Sequence, residues 1–285
     1  MIGITGASGD LGYAAAMAVL RTADPREVVL TTRRPDALAD FAAVGAQVRY
    51  ADFDQPDTVT AALMGVDRVL LISTDKVGGR LEQHRNTVRA AAAAGVSHVV
   101  YTSVPEPVPG NPAVVVDDHA GTEEALRESG LRWTALRNHL YAHLQIPAIQ
   151  QAASTGRFVT NIGDGRASFV TREDCAAAAA GILTKGGYED TALDISGPAA
   201  LGADELAALA GEIGGREVCR IDVDDVRFAD GLRAAGFPQP TVDLVTSFGA
   251  ATRGGFLASV TTAVADLTGR TPTPFAAALR AAVSR

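Results

Sequence analysis

The sequence predicts an α/β fold, a doubly wound parallel sheet with a smaller, mainly helical C-terminal lobe packed on it. Three observations carry that prediction. Short β-branched runs alternate with longer Ala-rich stretches through the first half of the chain, and helices of that length suit the crossovers that parallel strands require. The strand runs read almost continuously apolar, as in Val69-Leu70-Leu71-Ile72 and Val99-Val100-Tyr101, the pattern of strands covered on both faces. A glycine-rich turn joins the first strand to the first helix.

Taken in order, the predicted strands are 1–5, 27–32, 46–51, 67–72, 97–102 and 132–137. Helices are expected near 10–22, 36–44, 56–64, 80–95 and 118–129. Gly95, after the Ala90–Ala94 run, and Gly130, before Leu131, mark helix ends. After Arg137 the rhythm changes. A helix over 141–153 leads to a turn at Gly163-Asp164-Gly165, and Asp174, preceded by Thr171, opens a helix to about Leu183. A strand at 191–195, a helix at 203–213 and a strand at 217–221 follow. The mostly helical tail is broken by Gly236, Pro238, Pro240, Gly254-Gly255 and Pro272. No repeat or low-complexity linker interrupts the chain. The expected division is therefore 1–138 as the core and 139–285 as a substrate-binding lobe, with some of its segments returning to the sheet.

Composition narrows the class. Of 285 residues 47% are hydrophobic but only 5% aromatic, so the core must be built from Ala, Val and Leu. A formal charge of −8 and a pI near 5.1 argue against a nucleic-acid surface. Any basic pocket must be made of arginine, because Lys76 and Lys185 are the only lysines. Two cysteines, Cys175 and Cys219, cannot build a disulfide framework or a zinc cluster, and no metal is expected. Met1 to Thr5 reads as a strand rather than a signal peptide, and no apolar run approaches the roughly 20 residues that span a bilayer. The expectation is a cytoplasmic protein without membrane insertion; a homo-oligomer stays open.

The turn reads Gly6-Ala7-Ser8-Gly9-Asp10-Leu11-Gly12, glycines spaced G-x-x-G-x-x-G between strand and helix. Dinucleotide binding needs that spacing: the first glycine for the tight turn, the second for close approach of backbone N–H groups to a pyrophosphate, the third for helix–strand packing. The helix N-terminus adds its positive dipole end. The alternative, a glycine-rich turn without a ligand, is less economical given this placement. The predicted fold is thus of Rossmann type. An NAD-binding unit usually ends its second strand with Asp or Glu for the ribose 2′-hydroxyl. Here the strand ends Thr31-Thr32-Arg33-Arg34, and a guanidinium fork suits a 2′-phosphate. NADP(H) is the expected cofactor, with Arg33 on the phosphate; the competing reading has both arginines as solvated helix-entry residues. Asp52-Phe53-Asp54 after the third strand and Ser73-Thr74 after the fourth lie where ligands bind such sheets. Either aspartate could instead cap the helix after Pro56, and Ser73-Thr74 could be plain turn residues.

With these pieces placed, the chain resembles the NmrA-like group of atypical short-chain dehydrogenases/reductases, and within it the type-2 NAD(P)H:quinone oxidoreductases. The stretches that carry the resemblance are Ile4 to Gly12, Leu71-Ile72-Ser73, Gln83-His84-Arg85-Asn86, Tyr101-Thr102-Ser103, Leu136-Arg137-Asn138 and Thr171-Arg172-Glu173-Asp174. The resemblance implies that Thr102, Ser103, Arg137 and Asn138 belong to the cofactor site, with Arg137-Asn138 beside the nicotinamide. It also implies two activities: hydride transfer to quinones, without a flavin, or redox sensing by a regulator that binds NADP(H) without turnover.

One departure from ordinary short-chain dehydrogenases needs no comparison. Those enzymes protonate a carbonyl oxygen with Tyr-x-x-x-Lys, but Ile72 stands four places before Lys76 and Gly181 four before Lys185. Where the tyrosine motif would fall, the chain reads His119-Ala120-Gly121-Thr122-Glu123. The acceptor should therefore need little acid help, as a quinone does, and the candidate donors or oxyanion partners are Asn138, His139, Tyr141 and His119. Each could equally be a satisfied polar residue at the lobe junction. His84 reads as a surface or packing residue. Acceptor specificity is expected from 138–151, Phe158, Phe169 and the helices of 224–250.

Overall fold

The computed structural model describes residues 1–76 and 79–284. The first half runs β1 (Ile2–Ile4), α1 (Asp10–Val19), β2 (Val28–Thr32), α2 (Ala39–Ala43), β3 (Gln47–Tyr50), α3 (Pro56–Leu63), β4 (Arg68–Leu71), α4 (Arg80–Ala93), β5 (His98–Ser103), α5 (Val116–Glu128) and β6 (Arg132–Asn138). The second half runs β7 (Leu140–Tyr141), α6 (Ala142–Thr155), β8 (Arg157–Thr160), β9 (Ala167–Val170), α7 (Arg172–Lys185), β10 (Thr191–Ile195), β11 (Ala200–Leu201), α8 (Ala203–Gly214), β12 (Cys219–Asp222), α9 (Asp225–Ala234), α10 (Gln239–Arg253), α11 (Ala263–Thr268) and α12 (Phe275–Val283).

Seven strands form one parallel sheet in the order β10-β6-β5-β4-β1-β2-β3. The order reverses between β1 and β4, so the crevice for a ligand opens at the carboxyl ends of those two strands. Side-chain alternation divides the core. Ile4, Leu30, Leu70, Val100 and Leu136 face α1 and α7, whose Ala15, Ala16, Ala176 and Ala179 let the helices come close. Val29, Val69, Leu71, Val99, Tyr101 and Ala135 face the opposite layer, with Val59, Val88 and Leu126 among the residues packed there. The doubly wound sheet expected from the alternating runs is the fold observed.

Beyond Asn138 part of the chain comes back to the main sheet: β10 pairs in parallel with β6, and α7 packs on the first-half sheet, so these two elements share its core. Two small sheets, β11-β9-β7 and β12-β8, also appear. β12 answers to the strand expected at 217–221, whereas β7, β8, β9 and β11 have two to four residues, too few for a period of two to stand out in sequence. Phe158 and Phe169, expected near the acceptor, are instead buried in the lobe core with Ile149, Leu206, Phe275 and Leu279. Pro240 lies in the first turn of α10 rather than breaking it, where its missing N–H costs no helical bond. Among the described residues no helix is long and apolar enough to cross a membrane.

Candidate functional site

The crevice is built by ties between β1 and β4. The Thr5 hydroxyl donates to the Leu70 carbonyl at 3.1 Å and accepts from the Ile72 N–H at 3.0 Å. From there the chain turns at Gly6, whose φ of +59° lies in the left-handed region that glycine adopts freely. A Cβ on Gly12 would stand 2.4 Å from the Gly6 carbonyl oxygen and 2.7 Å from Ala7 Cα. Only glycine lets α1 approach its own entry turn this closely. Gly9 caps α1 without any side-chain hydrogen bond, leaving first-turn N–H groups for an outside acceptor. Such a bare helix start is the ordinary seat of a phosphate.

The end of β2 is locked to this turn. Ser8 Oγ and Thr32 Oγ1 lie 2.6 Å apart, and the Arg34 N–H donates to Thr32 Oγ1 at 3.0 Å. Arg33 is exposed and close enough to Asp54 to help hold that carboxyl below its ordinary range, after the larger effects of Gln83 and Lys76. A bare helix N-terminus and an exposed guanidinium just after β2 are groups of the kind that bind phosphates. Asp52 closes its own loop by accepting the Asp54 N–H at 3.1 Å. Neither aspartate caps α3, whose N-cap is Gln55. Phe53 is half-buried against the layer that carries α3. The Ser73 N–H donates to Thr102 Oγ1 at 2.8 Å, which joins the ends of β4 and β5.

Strand alternation sends the last residues of β6 to opposite faces. Arg137 turns to the α5 side, where its guanidinium grips Glu123 through two hydrogen bonds of 3.0 and 2.8 Å. Glu123 is 1% exposed and also accepts from Ser103 and Arg127. Arg137 and Ser103 thus place their polar groups on a buried carboxylate, and that ion pair raises the Arg137 pKa further. His119 lies in the same layer, its Nδ1 2.7 Å from the Tyr101 hydroxyl. Burial first, then the charge of Arg80, keeps it neutral well below its ordinary pKa.

Asn138 turns to the α7 side. Its Nδ2 donates to the Tyr141 hydroxyl at 3.1 Å, while its buried Oδ1 has no partner among the described residues. Desolvation raises the Tyr141 pKa, and the ring stacks on His143 with centroids 5.6 Å apart. Arg172 joins His143 Nε2, at 2.8 Å, to Asp10 of the glycine-rich turn, at 3.0 Å. His139 points away from this pair. Its Nδ1 is 2.6 Å from Ser168 Oγ, its Nε2 is 3.8 Å from Asp194, and burial lowers its pKa to about 4.

Of the four residues expected near the acceptor, the structure therefore brings together Asn138 and Tyr141. It turns His139 into the lobe and puts His119 across the sheet. The link from Asp10 through Arg172 to His143 was not foreseen, since it joins α1, α7 and α6. Only the stretch around Arg172 had been singled out, and no local spacing could reveal its partners.

A model of the NAD(P)H-binding family matches residues 6–186. Quinone oxidoreductase 2 of Escherichia coli K12 is 36% identical over 245 residues, 86% of this chain and 85% of that protein. An NADPH-dependent quinone oxidoreductase from E. coli, solved with NADPH, superposes with a TM-score of 0.95 at 33% identity, covering 99% of this chain and all of the other. Triphenylmethane reductase of Citrobacter sp., solved with NADP(H), gives a TM-score of 0.93 at 29% identity, with the same coverage of 99% and 100%.

Proposed function

The chain belongs to the NAD(P)H-binding family and is an NAD(P)H-dependent oxidoreductase of the NmrA-like kind, and from that premise we propose that it is an NADPH-dependent two-electron reductase of quinones that needs no flavin. When bound, the dinucleotide supplies the hydride. Gly6 to Gly12 hold its pyrophosphate, and Arg33 discriminates for its 2′-phosphate.

The observation that carries the quinone reading is the state of the candidate proton donors. His119 and His139 are held neutral by burial, and burial raises the Tyr141 pKa rather than lowering it. No group here is tuned to protonate an alkoxide near neutral pH. The acceptor must be one whose reduced form needs no strong acid. A quinone qualifies, because the hydroquinone anion left by hydride addition takes its proton from water. The similar E. coli proteins are quinone oxidoreductases, which favours quinones among such acceptors.

Asn138 and Tyr141 supply positioning and charge stabilisation. The Tyr141 oxygen accepts from Asn138, so its own hydrogen remains free to donate to the developing oxyanion. Its raised pKa keeps that hydrogen in place at working pH. His143, stacked beneath the ring, limits its rotation.

The test follows NADPH absorbance with flavin-free protein and a panel of quinones, with NADH in parallel. Saturable oxidation that favours NADPH is the expected outcome. Tight NADPH binding without turnover on any quinone would overturn the proposal in favour of the redox-sensing regulator.

A further inference from the structure

The stretch Gln83-His84-Arg85-Asn86 has no part in the function proposed above. In the structure its first two residues join Arg80 at the start of α4, and all three reach back to Thr74. The Thr74 N–H donates to His84 Nε2 at 3.2 Å, and its hydroxyl donates to Gln83 Oε1 at 2.9 Å. Its carbonyl accepts from Arg80 Nε at 2.6 Å. Every hydrogen-bonding group of Thr74 is therefore engaged by α4. Gln83 then uses its amide on Asp54 Oδ1 at 2.9 Å, so one helical turn ties the loop after β3 to the loop after β4.

The protonation of His84 follows from its partners. A backbone N–H can only donate, so Nε2 must present its lone pair and the ring proton must sit on Nδ1. From there it donates to Thr122 Oγ1 at 2.9 Å, whose own hydrogen goes to the Asp118 carbonyl at 2.7 Å. His84 is fully buried. A second ring proton would cost the Thr74 bond and place a cation beside Arg80.

We propose that Arg80, Gln83 and His84 are positioning residues for the dinucleotide: they fix Thr74, and with it the carboxyl end of β4 at the crevice, in the shape that receives the cofactor. His84 acts in this as a hydrogen-bond acceptor. The inference rests on the reading of that crevice as the NADPH cleft.

Three substitutions separate the acceptor role from plain packing. His84→Gln keeps an acceptor near the position of Nε2, His84→Asn keeps only a donor near Nδ1, and His84→Leu keeps neither. The dissociation constant of NADPH, measured by titration calorimetry on the full chain, should rise about tenfold for Asn and Leu but within about threefold for Gln. Amide hydrogen exchange at Thr74, measured without cofactor, should accelerate in the Asn and Leu variants and stay near wild type in Gln. Should the Leu variant fail to fold, Gln83→Met cuts the links to Thr74 and Asp54 together and should also weaken NADPH binding. Equal weakening by Gln and Asn, or unchanged Thr74 exchange in all variants, would overturn the positioning role. Wild-type protein that binds no NADPH would overturn the cleft reading and this proposal with it, whereas wild-type binding with unchanged variants overturns the positioning role alone.

Discussion

Two polar clusters stand on opposite faces of the sheet near its carboxyl end, and they differ in how completely they are bonded. On the α5 side the side chains of His84, Tyr101, His119 and Thr122 engage one another, and among the described residues only Nη1 of the neighbouring Arg80 is left buried without a partner. On the other side Asn138 Oδ1 and His143 Nδ1 are buried and, among the described residues, unpaired. His139 Nε2 and Asp194 Oδ1, 3.8 Å apart at the lobe junction, are without a hydrogen-bond partner among the described residues too. Buried polar groups are nearly always bonded, and each orphan costs about 1–3 kcal/mol. A closed network suits a scaffold that shapes the cofactor crevice. A network with open valences suits a place where a ligand completes the bonding.

That contrast can be broken by substitution, starting with the largest expected effect. Gly12→Ala forces a methyl group against the Gly6 carbonyl and Ala7 Cα, and NADPH affinity should fall about a hundredfold as the turn moves off the helix N-terminus. Calorimetric titration reads the loss, and an unchanged far-UV circular dichroism spectrum shows that the sheet persists. Tyr141→Phe and Asn138→Ala should each lower kcat about thirtyfold while the dissociation constant of NADPH stays within about threefold. If cofactor affinity falls as far as kcat, the pair is scaffold and the contrast fails. Arg33→Ala is expected to weaken NADPH binding about tenfold and leave NADH binding unaltered. Equal losses for both dinucleotides would make Arg33 a general surface charge.

How much of this was legible in the sequence depends on the range of the interactions. The six strands of the first half and their crossovers follow from local patterning, and the structure moves the strand boundaries by at most one residue and the helix boundaries by up to three. The turn Gly6 to Gly12 was equally legible, because spacing and element order carry its meaning. By contrast, Arg137 was expected beside the nicotinamide, yet its side chain is held by Glu123 fourteen positions earlier. Position on a strand gives a residue's height along the sheet, but the face it turns to depends on the pleat, and its partner depends on which helix covers that face. The same reasoning explains His84. Nothing local marks it as the partner of Thr74 or of Tyr101, because those contacts arise only when α4 packs across β4 and β5. Of the short strands in the two lobe sheets only the one near 217–221 was read from sequence, because two to four residues carry almost no period.

The smallest expected effect is on stability, and it sets His84 of the bonded cluster against His139 at the lobe junction. Burial, with the charge of Arg80, lowers the His84 pKa to about 3, and burial lowers that of His139 to about 4, against an ordinary 6.5. Between 6.5 and those folded values the unfolded chain binds a proton that the folded chain does not. Stability is therefore fully present above 6.5 and is lost as pH falls, by about 1.4 kcal/mol for each unit of depression. The two sites lose it almost equally until the pH nears 4, and differ below that. Protonation of His84 removes the acceptor for the Thr74 N–H and opposes Arg80. Protonation of His139 instead creates a cation 3.8 Å from Asp194, which recovers part of the cost. The loss in stability between about pH 7 and about pH 4.5, read from urea unfolding, should therefore shrink by about 2.7 kcal/mol in His84→Gln and by nearly as much in His139→Asn, and the two variants should separate only below about pH 4. Parallel acid losses in wild type and both variants would mean that neither ring governs acid stability.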